Sequence, residues 1–436
     1  MNKKFAVGFG KVEITPPLSI PYLGFCPRHS FFKGIHDSLY SRSLYASAGK
    51  EEIIIISTDT FGFSNSIFGK ERNFTKEVKE EIKRKTGIPL ASIMLGTSHI
   101  HSTADTLKIR PLIEEVPAAA KWLEKLQEQI VLSAVIASRE KFKASLKIGK
   151  GKVKNISCNR RKENFLDEEV IVLVFESLKG EKIFLVNFAC HPVIVQVQKL
   201  ISADYVGVLE TTIENTIKDA KGCLFLQGAC GDIDPLCGNT FNFNDVYLTG
   251  LSIAGEVMRI YGEIGFSGYP VEPVILKASS IETGFLSRPL PPQKEIEILA
   301  EEVESEKKKA ENVKSQKSKL EILGKITGRE EILCRVKEGN ESFSGELQLI
   351  RMGNTLLFGI PGEPFCELGM EIKKISNPFT GIPVGYANGY LGYIAPTSSW
   401  EKGGYEVNCG PWSKVGSESF NKIIKVFKKL RKNLTN

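Results

Sequence analysis

Several kinds of signal are scarce or missing in this chain, and each absence narrows the choice. Histidine occurs only five times in 436 residues. No apolar stretch reaches the roughly 18 residues that a membrane-spanning helix needs. The first residues, MNKKFAVGFG, carry two lysines but no apolar segment behind them, so they do not read as a secretory signal. Nine cysteines make an odd count, and none forms a CxxC pair, which argues against a disulfide framework and against a zinc finger. The net charge of +7, from 58 basic and 51 acidic residues, is too small to call for a nucleic-acid partner. We find no internal repeat and no long low-complexity linker. These absences predict a cytoplasmic protein that acts on a small molecule.

What is present is ordinary for a globular chain, with 42% hydrophobic and 25% charged residues. Strand and helix signals alternate. Phe5, Val7 and Phe9 suggest a first strand, and the apolar run at 52–57 suggests a buried one. An amphipathic helix is expected at 74–86, a strand at 91–97 and a long helix at 118–143. Strands follow at 170–176, 183–189 and 222–227, with helices at 206–220 and 243–262. The segment 290–330 is highly charged and helical in propensity, and we read it as a solvated helical insertion. A hairpin turning at Gly353-Asn354, a helix at 365–376 and a strand near 382–387 come next. The chain closes on SFNKIIKVFKKLRKN, a basic amphipathic helix that should pack its apolar face on the body; attachment to an anionic membrane is the lesser alternative. The expected fold is α/β (α+β), with mixed sheets flanked by helices in a single domain over 1–436.

The scarce histidines fall in telling places. His99 and His101 form an HxH pair at a strand exit, where side chains two apart share a face. His191 ends an apolar strand and is followed by Pro192. Glu363, in GIPGEPF, sits between an apolar strand and a helix start, where it could serve as a helix cap or as a metal ligand. Gly228, Gly231, Asp232 and Asp234 follow the strand at 222–227, as if the backbone there approached a ligand closely. A Gly- and Tyr-rich stretch, NGYLGY, precedes Tyr405. Singly these are core histidines, caps and turns; jointly they outline a zinc site with an open position.

These blocks, in this order, resemble the neutral/alkaline non-lysosomal ceramidase family, specifically its N-terminal catalytic domain. The resemblance runs from Gly8 and the ITPP at 14–17, through Gly34-Ile35-His36-Asp37, to Tyr405. It implies one zinc held by His99, His191, Glu363 and Tyr393. It also implies catalytic roles for His101 and Tyr405 and a substrate contact from Asn159-Arg160. The family's GDxSP serine is Asp234 here, and its HxHSGP segment becomes His-Ser-Thr at 101–103. The family's C-terminal immunoglobulin-like domain has no counterpart, and the 290–330 insertion aligns with nothing in it.

The expected activity is therefore cleavage of an amide or ester by zinc-activated water. Asp234 would take the water proton or orient the nucleophile, His101 and Tyr405 would face the oxyanion, and Arg160 would pair with an acidic or polar substrate group. The alternatives are a zinc hydrolase of a sugar-containing or other polar substrate, and a non-catalytic ligand-binding relative.

Overall fold

The computed structural model describes residues 5–22, 30–109, 112–267, 269–339 and 342–435. Cys26 and His29 fall outside them, and no disulfide joins the eight described cysteines. Three sheets carry the molecule. The first runs, in spatial order, Ile93–Thr97, Glu51–Thr58, Tyr40–Ala48, Phe5–Glu13 and Lys141–Lys143. The second runs Ala220–Gln227, Lys182–Phe188, Glu169–Glu176 and Ser145–Lys152. The third runs Leu276–Phe285, Phe343–Met352, Thr355–Gly359 and Thr380–Val384.

Each sheet is antiparallel except for one parallel pair at its edge. These pairs are Glu51–Thr58 with Ile93–Thr97, Lys182–Phe188 with Ala220–Gln227, and Thr355–Gly359 with Thr380–Val384. The parallel strands are nearly continuous runs of Ile, Leu, Val and Phe because both of their faces are covered. All three sheets feed one core in which Leu44, Ile55, Leu173, Leu224, Leu357 and Ile382 meet. At their carboxyl ends the pairs are stitched together by backbone bonds. Gly385 donates to the Gln227 carbonyl (3.0 Å) and Asn388 donates to that of Leu95 (2.7 Å).

Helices cover the outer faces. Ala118–Arg139 lies directly on the first strand, which is possible because Gly8 and Gly10 have no side chain there; a Cβ on Gly10 would stand 2.0 Å from the Ser133 carbonyl oxygen. Helices Asp204–Thr216 and Phe243–Ser267 cover the second sheet, and Cys366–Ser376 with Ser419–Thr435 cover the third. The helix Phe74–Thr86 has the ends its sequence calls for: Asn73 accepts from the Lys76 amide, and Gly87 closes the far end at φ 82°.

Some boundaries differ from the sequence reading. The long helix ends at Arg139 rather than 143, since Lys141–Lys143 pairs as an edge strand with residues 6–8. The helix expected at 206–220 runs from Asp204 to Thr216, because Asp204 turns the chain at φ 51° and Ala220 already begins the next strand. The strand near 382–387 is Thr380–Val384, and the rest runs on as a loop. The charged segment is a two-helix hairpin, Gln293–Asn312 and Gln316–Glu338, with a small core of Val303, Ala310 and Ile326. In the closing helix, Phe420, Ile423, Phe427, Leu430 and Leu434 are buried on the body. Among the described residues no helix is long and apolar enough to cross a membrane.

Candidate metal centre

The carboxyl ends of the three parallel pairs face one place, the usual location for a ligand in sheets of this kind. Beyond Thr58 comes Phe61, and beyond Thr97 come His99 and His101. Beyond Phe188 comes His191, and beyond Gln227 come Asp232 and Asp234. Beyond Gly359 comes Glu363, and beyond Val384 come Tyr386, Tyr390 and Tyr393. Three of these exits are braced by Gln227, whose side-chain amide donates to the Ser98 carbonyl (3.2 Å) and to that of Cys190 (2.8 Å). His99 itself is held at φ 64°, a conformation that a non-glycine residue adopts only when its surroundings enforce it.

His99, His101 and His191 offer ring nitrogens that all lie within 4.8 Å of one another. In each ring Nδ1 faces a carbonyl oxygen: Phe61 O for His99 (2.6 Å), the Gln196 side-chain oxygen for His101 (2.7 Å) and Ile233 O for His191 (3.1 Å). A carbonyl can only accept, so each Nδ1 carries a proton and each Nε2 turns toward the cluster. The Nε2 atoms of His99 and His101 nevertheless stand 3.3 Å apart. Burial pushes His99 well below the usual imidazole range, which keeps it neutral; at His191 burial acts the same way, but Cys230 and the Glu363 carboxylate outweigh it and hold that ring well above.

Glu363 closes the cluster. Its Oε2 is 3.2 Å from His191 Nε2 and 3.6 Å from His99 Nε2. The Tyr386 hydroxyl donates to the same oxygen (3.3 Å), and the Tyr390 hydroxyl donates to the other. Burial alone would raise this carboxyl, but the neighbouring imidazoles and the Tyr390 hydroxyl outweigh it and hold Glu363 down at about 2. The helix that starts at Cys366 has its first amide bound by Asp232 Oδ1 (2.7 Å), so Glu363 does not act as its cap. Asp232 also receives the Asn159 amide (2.7 Å), so Asn159 is a brace at this point.

One wall is organised by Arg160. Its Nε donates to Glu406 (2.8 Å), Nη1 to Asp234 (3.2 Å), and Nη2 to the Gly231 carbonyl (2.7 Å) and the Tyr393 hydroxyl (3.0 Å). Burial drives the Tyr393 phenol well above its usual range despite that guanidinium. Asp234 Oδ1 also lies 3.7 Å from His191 Nδ1, on the edge of that ring opposite Nε2. The glycines at 228 and 231 do permit a close approach, but to backbone: a Cβ on Gly231 would stand 2.8 Å from the Glu363 carbonyl oxygen.

These groups line a cleft of about 1070 Å³ that also includes Phe61, Ile109, Phe165 and Trp412. His101, Arg160, His191, Asp234, Glu363, Tyr393 and Tyr405 are on its wall, and His99 is buried among them. Tyr405 is partly exposed, stacks on Trp412 and stands edge-on to Tyr393. All eight residues singled out from sequence thus come to one place. Sequence reasoning gave no role to Phe61, Gln196, Tyr386, Tyr390 or Glu406; a signal existed for Tyr390, in the NGYLGY stretch.

The donor set suits a divalent cation such as zinc. Imidazoles oriented through Nδ1, with Nε2 turned toward an ionised, hydrogen-bonded carboxylate, are the arrangement such ions favour. Lone pairs facing each other at 3.3 Å repel, and a proton on one ring or a cation beside them relieves the repulsion.

Comparison with known proteins agrees with this architecture. The family model for "Neutral/alkaline non-lysosomal ceramidase, N-terminal" matches residues 5–242. The crystal structure of neutral ceramidase from Pseudomonas aeruginosa superposes with a TM-score of 0.74 at 18% identity, covering 100% of this chain and 75% of that one. A ceramidase complexed with C2 superposes with a TM-score of 0.74 at 17% identity, covering 99% of this chain and 76% of that one.

Proposed function

The chain belongs to the neutral/alkaline non-lysosomal ceramidase family, a family of hydrolases, and from that premise we propose that it is a zinc-dependent hydrolase of an amide or ester bond. The observation that carries the reading is the orientation of three imidazoles by three carbonyl oxygens, which crowds their Nε2 atoms together beside Glu363. In this proposal His99, His191, Glu363 and Tyr393 hold the ion, with His101 beside it. A bound divalent cation supplies Lewis acidity, polarising a carbonyl and making water acidic near neutral pH.

The chain's own groups supply the rest. Tyr386 and Tyr390 keep Glu363 ionised and fixed. Two groups are candidates to take the proton of the attacking water: Asp234, which replaces the family's serine, and His101 Nε2. Asp234 is already paired with Arg160 and lies along the Nδ1 edge of His191, which favours His101 as the base and Asp234 as the group that orients Arg160. Arg160, held by four acceptors, polarises the Tyr393 hydroxyl. Tyr405 can donate from the cleft wall to a developing oxyanion. The apolar part of the cleft, with Phe61, Ile109 and Phe165, suits an acyl chain. The catalytic unit is proposed as one domain, with the helical hairpin as an insertion.

A second reading, hydrolysis of a sugar-containing or other polar substrate, draws support from the charged mouth of the cleft, where Arg161, Lys162, Glu163 and Lys402 gather, and from Asp234 itself. The two are separated by assaying zinc-loaded protein against N-acyl amides, esters, lactones and glycosides. Turnover of N-acyl amides that is abolished in His99→Ala supports the first reading. Turnover of glycosides alone, or full amide turnover in His99→Ala, overturns it.

A further inference from the structure

Behind the imidazoles lies a buried charge cluster that the proposed reaction does not use. Arg42, on the central strand Tyr40–Ala48 of the first sheet, is almost fully buried. Its Nη1 lies 2.9 Å from Asp59 Oδ2 and 2.8 Å from Glu210 Oε2, and both of those carboxyl groups are buried too. Its Nε lies 3.8 Å from Glu214, which in turn pairs with Lys11 (2.6 Å). Taking charges out of water is costly, and their mutual attraction does little more than offset that cost, so stability alone does not account for the cluster.

Its contacts lead to His99. Asp59 is the first residue beyond the strand Glu51–Thr58, and its Oδ2 accepts the Tyr40 amide (2.9 Å) as well as Arg42. Its Oδ1 accepts from the hydroxyl of Ser98 (3.2 Å), which also reaches the Thr58 carbonyl (3.3 Å). Ser98 immediately precedes His99, and the Ser98 amide donates to the Thr58 carbonyl (2.9 Å). Two residues past Asp59 comes Phe61, whose carbonyl accepts from His99 Nδ1 (2.6 Å). Asp59 thus holds His99 from two sides, its backbone through Ser98 and its ring through Phe61, and the chain turns at φ 64° to satisfy both. The other arm of the cluster leads to His191. Glu210 accepts the Phe225 amide (3.0 Å) and belongs to the helix Asp204–Thr216, whose Tyr205 hydroxyl donates to the carbonyl of Cys190 (2.5 Å), the residue before His191. One guanidinium therefore ties together the supports of two imidazoles.

We propose that Asp59, anchored by Arg42, is a positioning residue of the metal centre: through Ser98 and Phe61 it fixes where His99 Nε2 stands and where it points. Neither Asp59 nor Arg42 is on the cleft wall, so both act at a distance from substrate. The proposal rests on the reading of His99 as a metal ligand.

The test is the zinc affinity of the full chain, measured with the metal ion alone by competition with a chromophoric chelator, with folding of each protein verified by circular dichroism. Asp59→Ala should weaken zinc binding about 10–100-fold and Ser98→Ala about tenfold. Asp59→Asn keeps an oxygen for Arg42 and the Tyr40 amide and offers an N–H to the Ser98 hydroxyl, so it should stay within about threefold of wild type. Ile423→Ala, which opens the core under the closing helix far from the centre, should lower thermal stability and leave zinc affinity unchanged. If Asp59→Ala does not fold, Ser98→Ala and Asp59→Asn decide between them. Folded Asp59→Ala or Ser98→Ala that holds zinc as tightly as wild type overturns the proposal. So does an equal loss in Ile423→Ala, because the effect would then follow stability, and so does a loss in Asp59→Asn as large as that in Ser98→Ala. A wild type that binds no zinc would instead overturn the metal reading, and the positioning role with it.

Discussion

His99, His101 and His191 each have one ring nitrogen on a carbonyl oxygen, and the consequences can be measured residue by residue. Gln196 accepts from the Nδ1 edge of His101, the proposed base, so Gln196→Ala should lower turnover about 10–100-fold with bound metal unchanged, read by kinetics beside elemental analysis. Tyr390→Phe removes a donor from a buried, ionised carboxylate and should lower stability by about 1–3 kcal/mol in denaturant titration. The residues with unusual chemistry were legible in the sequence because histidine is scarce and because Pro and Gly flank His191 and Glu363. Their partners were not. Phe61 acts through its carbonyl, which any residue could supply, and Gln196 and Glu406 meet their partners across 95 and 246 positions of sequence.

At the scale of elements, boundaries were legible where local chemistry set them and shifted where pairing did. Phe74–Thr86 has a capping Asn73 and a closing Gly87, and its limits could be read directly. Lys141–Lys143 became strand because residues 6–8 needed an edge partner, a fact that no local pattern records. The strand Leu276–Phe285, with the sequence LKASSIETGF, has little apolar alternation and was not recognised. The contact between the helix Ala118–Arg139 and the first strand leads to a prediction: Gly10→Ala would press a methyl group into the Ser133 carbonyl and should cost about 1–3 kcal/mol of stability.

A second element-level prediction concerns pH. Asp204, buried at the start of the helix Asp204–Thr216, receives the amides of Tyr205 and Val195, yet burial raises its carboxyl from 3.8 to about 6. A raised acid favours the protonated folded state, so its contribution to stability is full below pH 3.8 and is lost as pH rises through about 6. Unfolding measured between pH 4 and 8 should show this loss in wild type and not in Asp204→Asn.

For the whole molecule, the organising fact is that three sheets each end in a parallel pair and all three pairs point their carboxyl ends at one cleft. The α/β class with mixed sheets was legible from alternating strand and helix signals; the strand order and the joining of three sheets were not, because both depend on pairings between distant segments such as Gly385 with Gln227. That joining lets side chains from His99 to Tyr393 gather around one cleft without a continuous binding motif. The most direct check is elemental analysis of the purified protein, wild type beside His99→Ala and His191→Ala, with folding of each verified by circular dichroism. One divalent ion per wild-type chain and none in the folded variants is the expected result. A folded wild type that turns over its substrate with no bound metal, before and after chelation, would contradict it.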